Sequence, residues 1–390
     1  MKRKYFILLM ILTLALAGCW NRRELDTLSI VSAIAIDKSE EEGKLSVAFQ
    51  IIQPSRIKGS SPTGGTEAEG TKGVWVLTST GHTIFDAARN ATAQSDRRLF
   101  FPQNKVIVIG EELAREGIAP LLDFFHRDPE PRRMSWLLIA KGNAHDIISA
   151  KHEQENIPAR AIDSIIKSSS ATSMAVKVNL NDFLKNLTSP ASDPIACRIE
   201  MIQDHQSKNQ GIRFTGAAVF KKDKLVGFLD QYETRGLNWI LGKVVSGITL
   251  IKSPINESKY LAIEIIRATS RIIPEIQDGK VKITVEVTEE GNLAEQFSDV
   301  DLSNTEMFKE LEKRKAQVIK SEIQSVLKKG LQEWGVDIFG FGKAIHRRYP
   351  KEWKTLQAKW RDMLPEIDVE VKVDAIVRDS GISTLPAKGR

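Results

Sequence analysis

Cysteine is almost missing from this chain, with only Cys19 and Cys197 among 390 residues. Cys19 has another use, argued below, so Cys197 has no partner within the chain and a disulfide framework is excluded. A chain of this length needs none, because it buries ordinary hydrophobic cores. Its length suggests two or three domains. Histidine is nearly as scarce. His82, His126, His145, His152, His205 and His346 form no H-E-x-x-H, H-x-H or Cys/His group with metal spacing. His152 lies in a polar stretch and His346 in a basic one, and both read as solvated surface. Cys197 follows Pro194-Ile195-Ala196 with no recognisable His partner and reads as a small buried hydrophobe. No G-x-S-x-G elbow occurs. Gly340-Phe341-Gly342 lacks the third glycine of a dinucleotide loop and follows a helical stretch, not a strand. Glu111-Glu112 falls at a helix start, where acids complement the dipole. No catalytic residue, cofactor-binding residue or metal ligand is expected, and no enzyme.

Net charge is also small. Of the formal +6, three charges are Lys2, Arg3 and Lys4, which leaves +3 for residues 19–390. That is too little for a dedicated nucleic-acid binder. Long apolar runs are confined to one place. Tyr5 to Leu16 is almost unbroken apolar sequence, about a dozen residues, short of the roughly 20 needed to span a bilayer. The run ends in Leu16-Ala17-Gly18-Cys19. Small residues at 17 and 18 suit a signal peptidase cleft, and the Cys19 thiol is the nucleophile that accepts a diacylglyceryl group. Residues 1–18 are therefore expected to be a lipoprotein signal peptide. Cys19 is expected to carry an S-diacylglyceryl group and an N-acyl chain such as palmitate. Two or more acyl chains anchor stably where one would bind only reversibly.

The remaining sequence alternates between strand and helix periodicity. Ile30–Ile36 and Leu45–Ile51 flank a Ser39–Gly43 turn and read as a hairpin. Pro54 to Gly73, rich in Gly, Ser and Thr, reads as a mobile loop. Strands are expected at 74–77, 105–109 and 135–140, and helices from about Thr83, over 111–126, 156–167 and 181–187. This β-α-β-α-β order favours a layered domain. The polar run from Glu200 to Gly211 suggests a boundary. An N-terminal mixed α/β domain is placed at 19–205 and a C-terminal α+β region at 212–390, with room for a division into 212–255 and 256–390. The second region should hold a 214–220/225–230 hairpin, a helix over 234–242, and long paired strands at 261–268 and 281–288 joined by Asp278-Gly279. Ser303 and Glu306 form a capping box that opens a long amphipathic helix, stopped at Gly335. A helix from Pro350 and an alternating strand over 366–378, with one wet face, complete it. The class is α+β, multi-domain, with mixed sheets packed against helices and a lipid-anchored N-terminus. Arg97-Arg98 and Arg132-Arg133, beside apolar residues, are candidates for a contact surface.

These residues resemble a known family. Cys19-Trp20-Asn21-Arg22-Arg23-Glu24-Leu25, Arg97-Arg98-Leu99, the run Lys105 to Gly117, and Arg127-Asp128-Pro129-Glu130 are similar to the Ger(x)C spore germination lipoproteins. So are Gly216 to Phe220, Lys224 to Gly227, Glu233 to Leu237, Asp337 to Gly342 and Tyr349 to Trp353. The strings occur in order across essentially the whole mature chain. The 54–73 loop is the one mild departure. The resemblance implies three mixed α/β domains and a non-catalytic C subunit of a nutrient germinant receptor. It implies partners in an A subunit and a transporter-like B subunit, at the outer face of the spore inner membrane. Two rival readings are a lipid-anchored extracytoplasmic solute-binding protein serving a transporter and a secreted cell-wall enzyme. The first would need two lobes around a cleft, the second a metal set or paired carboxylates.

Overall fold

The computed structural model describes residues 3–5, 24–54, 73–152, 154–203, 210–297, 302 and 304–379. Cys19 and almost all of the expected 54–73 loop lie outside them. The first sheet is built on Leu28–Lys38 (β1), whose alternate and intervening residues are nearly all buried. A strand buried on both faces needs cover on both, and its near-continuous apolar run is the signature of that placement. Leu45–Ile52 (β2) pairs with it antiparallel, Ile34 opposite Phe49, and Val74–Gly81 (β3) pairs with β2. Thr83 then caps Ile84–Thr92 (α1), its hydroxyl accepting from the Asp86 N–H at 3.0 Å. Arg98–Phe100 (β4) and Val106–Ile109 (β5) both run parallel to β1.

The expected single helix over 111–126 is two, Glu111–Glu116 (α2) and Ala119–Arg127 (α3). Gly117, at φ 128°, breaks it. A side chain there would be strained, and its Cβ would lie 2.8 Å from the Asp223 carboxylate. Trp136–Lys141 (β6), Ala144–Ser149 (α4), Pro158–Ser168 (α5) and Leu180–Leu187 (α6) follow. The polar stretch chosen as a boundary links two antiparallel strands of the same sheet, Ile195–Gln203 (β7) and Gln210–Lys221 (β8). With Lys224–Leu229 (β9) the nine-stranded sheet runs β3-β2-β1-β5-β6-β7-β8-β9, with β4 beside β1.

Gln231–Ile240 (α7) opens on a capping box, Asp230 with Glu233, three residues earlier than the apolar periodicity suggested. Ile248–Lys252 (β10), Tyr260–Gln277 (β11), Lys280–Gln296 (β12) and Asp368–Val377 (β13) form a second sheet, in that order. The strands of the described residues group into two sheets. The second sheet begins before residue 255 and so spans the division considered there. Asp278 and Gly279, at φ 49° and 75°, make the tight turn between β11 and β12. β13 returns parallel to β12, Val285 beside Val371. Between them lie Thr305–Leu327 (α8), a π-helical turn over Lys328–Trp334, Phe341–Arg348 (α9), Pro350–Leu356 (α10) and Trp360–Met363 (α11). The cap of α8 is Asn304, whose side chain accepts the Met307 N–H at 2.9 Å; Ser303, the expected cap, lies outside the described residues. α8 packs on α7, β10 and β13, and one apolar core extends across both sheets.

Candidate functional site

In open α/β sheets ligands sit beyond the carboxyl ends of the parallel strands. Here that crevice is filled from within. At the end of β1 the Asp37 carboxylate accepts N–H groups from Ala144 and His145 at 2.8 and 2.9 Å, at the start of α4. Gly110 lies so close that any Cβ would overlap the carboxylate. Burial pushes the Asp37 carboxyl up, against the lowering effect of those two N–H groups.

The Gly340-Phe341-Gly342 segment is a true nest of backbone donors, and the chain occupies it itself. Asp337 accepts N–H groups from Phe339 (3.1 Å), Gly340 (2.9 Å), Phe341 (3.1 Å) and Gly342 (2.7 Å), and the Trp360 indole N–H at 3.2 Å. Burial pushes this carboxyl up as well, opposed by the same donors. Asp193 ties the nest to the first sheet. Its carboxylate accepts the Asp337 N–H at 3.0 Å and pairs with Arg361 at 2.6 Å. A loop that could cradle phosphate is closed by an internal anion.

α8, expected to be solvated on its charged side, also buries charge. Arg235 on α7 pairs with Glu322 through two nitrogens, and the Trp239 indole N–H reaches the same carboxylate at 3.0 Å. Lys315 faces Glu289 of β12 at 2.5 Å, both without solvent exposure. Burial pushes Glu289 up and Lys315 down, while each partner's charge opposes the shift. These pairs join α8 to α7 and to β12.

The residues singled out from the sequence are scattered. Cys197 is fully buried on β7, its thiol pushed up to about 12 by burial, with the Val178 N–H 3.3 Å away. His346 is exposed and stacks on Trp353. His152 is not simply solvated: it is half-buried, its Nε2 has no partner, and burial lowers its pKa. Arg97, Arg98, Arg132 and Arg133 are all exposed. Among the described residues no three His, Cys, Asp or Glu side chains are grouped to hold a metal. No described helix is long and apolar enough to cross a membrane. Sequence reasoning missed Asp337, although an Asp just before two closely spaced glycines is a recognisable nest signal. It could not have paired Lys315 with Glu289, since each looks like one more surface charge.

What the surface offers is contact area. Between α1 and α3 lies an open groove of about 550 Å³, lined by Ile84, Phe85, Leu121, Phe124 and Pro129, with an Asp123–Arg127 pair at its rim. Phe85 and Phe124 stand 6.2 Å apart across it. The lining is mainly apolar and suits apolar side chains, with His82, Asp123, Arg127 and Asp128 as its charged or titratable members.

Comparison with known proteins agrees with that character. Residues 21–201 match the family described as "Spore germination protein N-terminal domain", and residues 215–381 match "Spore germination B3/ GerAC like, C-terminal". The two matches stop on either side of the β7–β8 connection. "Spore germination protein KC" of Bacillus subtilis is 28% identical over 399 residues, covering 98% of this chain and 97% of that protein. "Spore germination protein B3" of the same organism is 24% identical, covering 94% and 95%. "Spore germination protein GerQC" of Bacillus cereus is 23% identical, covering 97% and 99%. A solved structure titled "Crystal Structure of the GerBC protein" superposes with a TM-score of 0.56 at 20% identity, over 88% of this chain and 96% of that one. At that identity the likeness is one of fold.

Proposed function

The chain belongs to the Ger(x)C family of spore germination proteins, and on that premise we propose that it is a non-catalytic subunit of a spore nutrient germinant receptor. The observation that carries this reading is a family match running through both halves of the chain. The two donor cradles support it, since Asp37 and Asp337 already occupy them. In this reading Cys19 is lipidated and holds the body on the outer face of the spore inner membrane. Confinement there raises its effective concentration toward the integral A and B subunits, so assembly needs no large interface.

The rival, a lipid-anchored solute-binding protein, needs two lobes that open around a cleft. Here the two sheets share one core and α7 is pinned to α8 by the buried Arg235–Glu322 pair, which argues against hinged lobes. The test is Cys19→Ala at the native locus, in a strain stripped of other nutrient receptors, with germination followed by loss of optical density. The expected result is a severalfold slower response to nutrient. An unchanged response would sink the proposal. Crosslinking in the spore from the Phe85–Phe124 groove should capture the A or B subunit.

A further inference from the structure

The parallel strands β1, β5, β6 and β7 all begin at one end of the nine-stranded sheet. Cys19 and Glu24, the residue that leads into β1, are five positions apart. At no more than ~3.6 Å per residue the link reaches about 18 Å at most. If Cys19 carries lipid, this end of the sheet lies within that distance of the bilayer.

The surface there is unusual for the molecule. The two most exposed large apolar side chains among the described residues are Leu25, at 74%, and Met134, at 68%. Leu25 sits just before β1. The Met134 turn is brought to the same end by two links. β4 pairs Arg98 with Leu28, and Arg98 bonds Glu130 at 3.3 Å. Lys105 is adjacent, its carbonyl accepting the Trp136 N–H at 2.9 Å. Lys105, Arg132 and Met134 line one depression of about 230 Å³ with Asp163 and Lys167. The nearby acids are engaged: Asp163 by Lys167 and the Trp136 indole, both at 2.8 Å, and Glu130 by Arg98. Lys105, Arg132 and Arg133 form no ion pair among the described residues; Arg133 only donates to the His126 carbonyl. Exposed Glu24 and Asp26 flank Leu25, so at this end the three basic groups stand against two further acids and leave a small cationic excess. At the opposite end the β1–β2 turn carries exposed Glu40, Glu41 and Glu42; Glu41 pairs with Lys44, and Lys38 holds both Glu112 and Glu116, so acids outnumber their cations there.

We infer that the strand-start end of the first sheet docks directly on an anionic bilayer. Lys105, Arg132 and Arg133 meet headgroup phosphates, and Leu25 and Met134 reach the headgroup–acyl boundary. The lipid fixes where the protein is, and this surface fixes which way it stands. The acidic end then points away from the membrane. The inference rests on the lipid-anchor reading above.

The test uses the full lipidated chain on vesicles, with an environment-sensitive fluorophore on Gln103→Cys at the docking end or on Glu41→Cys at the acidic end. Cys197 is buried and Cys19 acylated, so neither competes for label. Quenching by headgroup-attached nitroxide lipids should be several-fold stronger at position 103 than at 41 in phosphatidylglycerol-containing vesicles. It should fall toward the position-41 level in Arg132→Glu/Arg133→Glu and in molar salt. Equal quenching at the two positions, or a position-103 signal indifferent to charge reversal, overturns the inference. Co-flotation with pure phosphatidylcholine vesicles reads the lipid anchor alone, so anchor and docking fail separately. Continued shielding of Cys197 from thiol reagents shows that the reversed-charge variant is folded.

Discussion

In the nine-stranded sheet a fully buried polar side chain, Gln50, is neutral and hydrogen-bonded at both its polar atoms, whereas the four-stranded region fully buries an ion pair, Lys315 with Glu289. Gln50, with no exposure, accepts from the Ser32 hydroxyl at 2.8 Å and the Ala159 N–H at 3.1 Å, and donates to the Ile148 carbonyl at 2.6 Å. It stitches β1 and β2 to the helices that cover them. Lys315 and Glu289 have only each other, in surroundings that otherwise offer no hydrogen bond to either charged end. The contrast shows two ways of holding secondary structure together. A satisfied neutral network adds stability with little desolvation cost. A buried ion pair adds little net stability but is costly to break, because the remaining charge is left stranded.

The sharpest way to break this comparison is Lys315→Met. It should cost about 3–5 kcal/mol in denaturant unfolding, because Glu289 would be left buried without its cation. Adding Glu289→Leu should restore most of that loss; a double variant as weak as the single one would refute the ion-pair account. Next in size is Gln50→Leu in the first sheet, expected to cost about 3 kcal/mol by orphaning the Ala159 N–H and the Ile148 carbonyl. Hydrogen exchange should localise the two effects differently. Lys315→Met should loosen β12, β13 and α8, and Gln50→Leu should loosen β1, β2 and α5. Identical maps would mean that the sheets open as one unit.

Gly236→Ala tests the joint between the regions. Its Cβ would overlap the Glu322 carbonyl where α7 crosses α8, so a loss of about 1–3 kcal/mol is expected. A neutral result would show that the crossing gives way easily. The smallest effect concerns Glu200 in the β7–β8 hairpin. Burial pulls its carboxyl up, but hydrogen bonds from Arg198 and Arg213 outweigh that and hold it below its ordinary value of 4.5. A depressed carboxyl contributes stability that is present above the unfolded pKa and is lost as pH falls through the folded one. Glu200→Gln should therefore flatten the acid limb of the stability profile below pH 4.5 while changing stability near neutrality by less than about 1 kcal/mol. An acid limb of unchanged steepness would remove Glu200 from the account.

Local patterns were legible wherever the physics is local. The β1–β2 alternation, the Thr83 cap, the Asp278-Gly279 turn and the Gly335 stop at φ 59° each depend on a few neighbouring residues. The absence of catalytic motifs and the ordered strings of family residues were equally readable. Boundaries were less so. Gly117, at φ 128°, separates α2 from α3, and the nearness of Asp223, more than a hundred positions away, leaves no room there for a side chain. Asn304 caps α8, and since Ser and Asn both cap well the sequence alone does not choose between such neighbours.

Composition and periodicity alone were enough to establish an α+β chain with a strongly apolar first region. Only the tertiary structure decided that β8 and β9 join the first sheet, that β13 returns parallel to β12, and that Asp337 fills its own donor nest. The same holds for the pairing of Lys315 with Glu289. The physical reason is common to all four. Hydrophobic periodicity says which face of an element is buried, but it carries no label for the partner. Strand neighbours and buried counter-charges are chosen by packing between residues far apart in the chain.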